Sequence, residues 1–135
     1  MKIMARLVGV LVVTACAAPG ADDGHRRDTA VTDFIEVNEL VEQAAVRSLD
    51  QLEAREINDR FVIVSTRRED YLLLYYSRCI QGVDGRIVPD VRQDSRALYA
   101  GVDTFRGCRI KAIYRLAPGQ AEELLELGRA VGGAR

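Results

Sequence analysis

Between Cys79 and Cys108 the chain alternates acids and arginines: Asp90, Arg92, Asp94, Arg96, Asp103 and Arg106, with Arg109 just beyond. Such a series can do one of three things. Two carboxyl groups at a fixed separation, one with a raised pKa, could hydrolyse a glycosidic bond, and Asp94 with Asp103 would be such a pair. Arginine forks set beside acids can hold an anionic or sugar-like ligand, which makes Asp90, Arg92, Asp94, Asp103 and Arg106 candidate ligand-binding residues. Alternatively, Asp–Arg pairs can simply fix a loop against a sheet, and this is the favoured reading. Other chemistries fare worse. A serine–histidine or cysteine–histidine pair needs an imidazole, and the only histidine, His25, sits in a polar stretch. Asp84, Asp90 and Asp94 lack the spacing of a calcium loop. No catalytic residue, metal or cofactor is assigned.

The N-terminus carries an address. A basic region (Lys2, Arg6) precedes the apolar run Leu7-Val8-Gly9-Val10-Leu11-Val12-Val13, which is too short to span a bilayer. Val13-Thr14-Ala15-Cys16 then has the order of a bacterial lipoprotein cleavage box: an aliphatic residue, a small residue, a cysteine. This resemblance implies that Cys16 becomes the first mature residue and is lipidated. Ala17, not aspartate, follows it, which by the sorting pattern of such lipoproteins implies the outer membrane.

Loss of residues 1–15 leaves 17 of the 19 basic residues against 20 acidic ones, so neither nucleic acid nor an anionic membrane surface is an electrostatically favoured partner. With Cys16 assigned to lipid, Cys79 and Cys108 remain in an oxidising compartment, where a disulfide is expected ahead of a metal or redox pair. Closing a loop of about thirty residues contributes roughly 3–4 kcal/mol on the chain-entropy model.

The elements that must position these residues are readable in part. Residues 1–15 are expected to be a signal peptide, 16–31 a flexible polar tether, 32–128 a single α+β domain and 129–135 a disordered tail. Spacing and composition predict a helix over 36–54, with a short strand at Val46-Arg47-Ser48-Leu49 as the alternative. Phe61-Val62-Ile63-Val64-Ser65-Thr66 and Tyr71-Leu72-Leu73-Leu74-Tyr75-Tyr76 predict a hairpin around a charged loop. A strand is expected over 97–102. In 109–116, Ile110, Ala112, Tyr114 and Leu116 should face the core while Arg109, Lys111 and Arg115 face water, with Ile113 the exception. A short helix should run from Gln120 to Leu127, with Gly128 ending it. The expected fold is a small antiparallel sheet of about four to five strands with an N-terminal helix, a short C-terminal helix and one disulfide.

The segment from Asn58 to Leu116 resembles a family of small Gram-negative lipoproteins classed as a domain of unknown function. The likeness rests on Tyr71-Leu72-Leu73, Cys79, Asp90-Val91-Arg92 and Asp103-Thr104-Phe105-Arg106-Gly107-Cys108-Arg109-Ile110. It implies an exported, disulfide-bonded α+β domain and no particular activity. The expected function is a membrane-tethered periplasmic accessory or binding protein with an envelope protein or glycan as partner. The alternative is an envelope glycan hydrolase using carboxylates of the 90–106 region.

Overall fold

The two β-branched and aromatic runs form the centre of the molecule. In the computed structural model, which describes residues 21–47, 49, 52–79 and 97–132, they are β4 (Phe61–Ser65) and β5 (Asp70–Tyr75). They pair antiparallel with Ile63 opposite Leu72 and Val62 opposite Leu73. Around them in chain order lie α1 (Ala21–Val37), β1 (Glu42–Gln43), β2 (Ala45–Arg47), β3 (Glu53–Glu56), β6 (Ala97–Tyr99), β7 (Thr104–Phe105), β8 (Cys108–Leu116) and α2 (Gln120–Val131). The described strands make a 6-stranded antiparallel sheet, β1-β8-β5-β4-β3 with β7 also on β8, and a separate ribbon of β2 and β6. This is the expected α+β fold, slightly larger in its sheet.

Both faces of the sheet are covered, not one. Phe61, Ile63, Leu72 and Leu116 pack against Val31 and Phe34 of α1 and Ala121, Leu124 and Leu125 of α2. Val62, Val64, Leu73, Ile110 and Ile113 face the other way, onto Val46 of β2, Leu98 of β6 and Phe105 of β7. The irregular alternation in β8 has a local cause. Leu74 pairs with Ala112 but Tyr75 pairs with Ile110, so Lys111 is an extra residue, a β-bulge. Ile110 thereby joins Ile113 on the ribbon side, while Ala112, Tyr114 and Leu116 follow the helix side. A strand buried on both faces loses clean alternation, which corrects the expectation of one wet face.

The N-terminal part of the expected organisation is revised. Helix α1 begins at Ala21, inside the stretch expected to be a tether. It carries one apolar stripe, Val31 and Phe34, extended by the buried Asp28 at helical spacing. It stops where the helix over 36–54 was expected to begin. The Leu40 N–H donates to Ile35 O (3.0 Å), the Glu39 N–H donates to Glu36 O (3.1 Å), and Glu39 has φ 49°. That is a Schellman end with a left-handed C′ residue. Beyond it, pairing with β8 and β6 overrides the helical propensity of the Glu-Gln-Ala segment, and β2 realises the strand alternative at Val46-Arg47.

The C-terminal helix is longer than expected. Gly128 lies inside α2 because Ile57 packs on it: a Cβ there would sit 2.8 Å from Ile57 Cγ2. Helix α2 thus extends through Val131 into the segment expected to be a tail. The disulfide is formed, with the Cα atoms of Cys79 and Cys108 5.7 Å apart, and it ties the chain after β5 to the start of β8.

Candidate functional site

Of the five candidate ligand-binding residues, Asp90, Arg92 and Asp94 lie outside the described residues, as do Asp84 and Arg96 and the lipidation residue Cys16. Asp103 and Arg106 can be placed. Asp103 closes the turn after β6: its Oδ2 accepts the Tyr99 N–H (2.7 Å), its own N–H donates to Tyr99 O (3.0 Å), and its carbonyl accepts the Ile110 N–H (3.1 Å). Arg109 braces the same turn. Its Nη2 and Nε donate to Gly101 O (2.8 and 3.2 Å), and the guanidinium lies 5.6 Å from the Tyr76 ring centroid.

Arg106 works elsewhere. With Gly107 it forms the two-residue link between β7 and β8, both at positive φ (53° and 81°), the backbone of a type I′ turn. Its guanidinium pairs with Glu56 on β3 and lies over the Phe105 ring. Asp103 and Arg106 therefore have different partners, and each secures its own loop. Neither is in an Asp–Arg pair: Asp103 bonds backbone and Arg106 bonds a glutamate.

A second charged cluster falls on residues that sequence reasoning had put in or beside loops. Asp28 is the buried charged side chain among the described residues, 9% exposed. Its Oδ1 accepts from Asn58 Nδ2 (2.8 Å), its Oδ2 accepts from Arg78 Nη2 (3.1 Å), and Arg60 stands 3.9 Å away. Arg78 also pairs with Asp59 at 2.5 Å. Asn58 Oδ1 caps the chain entering β4, accepting the Arg60 and Phe61 N–H groups (2.8 and 2.9 Å). A buried carboxylate is tolerated when paired and hydrogen-bonded in this way. The cluster fastens α1 to the open end of the β4–β5 hairpin.

At the loop end of that hairpin lies a cleft of about 540 Å³. It is lined by Gln43, Ala45 and Arg47 from β1 and β2 and by Thr66, Arg67, Arg68, Glu69 and Tyr71 from the hairpin. The loop is locked by one hydroxyl. Thr66 Oγ1 donates to Glu69 O (3.0 Å) and accepts the N–H groups of Arg68 (3.3 Å) and Glu69 (3.1 Å). Glu69 uses both carboxylate oxygens, one on Arg115 and one accepting the Tyr71 hydroxyl. Burial, then this bond and the adjacent Glu69 charge, push the Tyr71 hydroxyl up to about 12, so it stays protonated at neutral pH.

Arg47 and Arg68 form no ion pair among the described residues. Nothing in the sequence marked this cleft, because β2 reaches the loop only through the ribbon laid across the sheet. Among the described residues no group of three histidine, cysteine or acidic side chains is placed to hold a metal ion. No family model, curated protein or solved structure matches the chain.

Proposed function

We propose that the protein is a lipid-anchored lipoprotein of the outer membrane, facing the periplasm, and that its folded domain is a non-enzymatic binding or accessory module of the cell envelope. The observation that carries this reading is the Val13-Thr14-Ala15-Cys16 order after the apolar run, followed by residues 17–20 and then directly by α1. A diacyl or triacyl anchor would hold the domain stably, where one chain would not. The Cys79–Cys108 disulfide supports the same compartment. Asp103 and Arg106 are engaged within their own loops, by the Tyr99 N–H and by Glu56, so a ligand would be bound elsewhere on the domain.

The test is metabolic labelling with a palmitate analogue in cells expressing the wild type or Cys16→Ser. The wild type should incorporate label and fractionate with the outer membrane; the variant should do neither. Identical fractionation without label in either protein would refute the anchor.

A further inference from the structure

We propose that the cleft between β2 and the 66–69 loop is an oxyanion-binding site, taking a carboxylate or phosphate group of its ligand between Arg47 and Arg68. The two guanidinium groups come from separate elements and face one cavity. Several other arginines are bonded to acids or backbone: Arg55 to Glu122, Arg60 and Arg78 to Asp28, Arg78 also to Asp59, Arg106 to Glu56, Arg109 to Gly101 O, Arg115 to Glu69. The cleft's own carboxylate, Glu69, is bonded to Arg115 and the Tyr71 hydroxyl and makes no ion pair with Arg47 or Arg68.

The arrangement is also preorganised. The Thr66 hydroxyl fixes the loop backbone that carries Arg68, and pairing with β6 fixes the backbone at Arg47. Less ordering is then needed on binding. Guanidinium forks match carboxylate and phosphate geometry in bidentate pairs. A cavity of about 540 Å³ accommodates such a group on a body the size of a sugar or an amino acid.

The orientation of this site rests on the proposed function. Asp28, toward the start of α1, meets Asn58 at the open end of the hairpin, while Asn38, just past its end, meets Gln120 near the loop end. From Asp28 to Asn38 helix α1 thus runs along the hairpin for about 15 Å at 1.5 Å per residue. A lipid on Cys16 would hold the end of the molecule opposite the cleft. The ligand would then come from the periplasmic side, as a free small oxyanion or as carboxylates on wall glycan, and not from headgroups of the anchoring membrane.

The test is a titration of the isotopically labelled, detergent-solubilised full protein, followed at the arginine Nε–H resonances. One arm uses inorganic phosphate and the other uses soluble disaccharide–peptide fragments of peptidoglycan. The Arg47 and Arg68 signals should shift saturably while Arg78 stays still. Arg47→Gln and Arg68→Gln should each weaken binding about tenfold, the loss expected for one charge-assisted hydrogen bond, with an unchanged melting temperature. Tighter binding of the fragments than of phosphate identifies wall glycan; the reverse identifies a small anion. No saturable shift with either probe, or wild-type affinity in both variants, would overturn the site. Palmitate labelling decides the anchor separately, and its failure removes the orientation without touching the titration.

Discussion

The two ends of the β4–β5 hairpin use the same residue type in opposite ways. At the open end, Arg78 bridges Asp28 and Asp59, and the Cys79–Cys108 disulfide closes beside it. At the loop end, Arg47 and Arg68 line a cavity whose lining carboxylate, Glu69, is bonded to Arg115 and Tyr71. One end is joined to α1 and β8 by charge and covalency; the other is held by a threonine hydroxyl and leaves cationic groups accessible. The lesson is that arginine content says little by itself. What separates an arginine that holds the fold from one that can hold a ligand is whether folding delivers an acid to it.

The contrast can be broken most directly at the disulfide. Reduction should lower stability by about 3–4 kcal/mol, read as a shift of the urea midpoint with and without reductant. A shift below about 1 kcal/mol, small for a native disulfide, would mean that the tied end is held by packing alone. Next comes Asp28→Ala, which removes one of the two acids on Arg78, the acid beside Arg60 and the acceptor of Asn58. It should cost about 2–4 kcal/mol, near the range for breaking a buried pair, whereas Arg68→Gln should stay within about 0.5 kcal/mol of wild type, as exposed substitutions do. Equal losses in the two variants would abolish the distinction between the ends.

Asp103→Ala should fall between these, at about 1–2 kcal/mol, because the Tyr99 N–H loses its acceptor while backbone bonds still hold the turn. A variant of normal stability that fails in the cell would turn Asp103 from a loop brace into a functional group. The smallest effect sharpens the loop end through pH. The Tyr71 hydroxyl is pushed from 10.0 up to about 12 by burial first and by Glu69 second. The folded state therefore keeps a proton that the unfolded chain releases, and the associated stability is present below pH 10 and lost as pH rises toward 12. Tyr114 is shifted in the same direction by burial and adds to the slope. Tyr71→Phe should make the alkaline decline in melting temperature shallower; an unchanged decline would exclude Tyr71 as its source.

How far the sequence was readable follows from where each element gets its stability. The hairpin, β8 and α2 carry their own signals: β-branched runs around a charged loop, alternation, and an apolar stripe after Pro118-Gly119. Helix α1 does not. Its polar composition is overcome by Asp28 reaching Arg78, 50 residues away, and no window of local sequence contains that bond. The short strands β1 and β2 owe their form to β8 and β6, so helical propensity there misleads. The candidate site divides the same way. Asp103 and Arg106 stood out because acids and arginines alternate before Cys108, but their partners, the Tyr99 N–H and Glu56, were not legible in that pattern. The cleft could not be read at all, since Arg47 and Arg68 line one cavity only once the ribbon lies on the sheet.

The bulge at Lys111 sets where this chain can change length. Lys111 is the one residue of the β5–β8 ladder without a partner of its own, inserted between Ile110 and Ala112, which pair with successive residues of β5. A deletion there would close the ladder and leave the side chains on either side of it on their present layers. Loss of Ala112 would instead draw Lys111 into its place on the helix side, and loss of a residue from 113–116 would carry Ala112 toward the ribbon. A one-residue gap between related chains is thus structurally silent at Lys111 and disruptive a single position later.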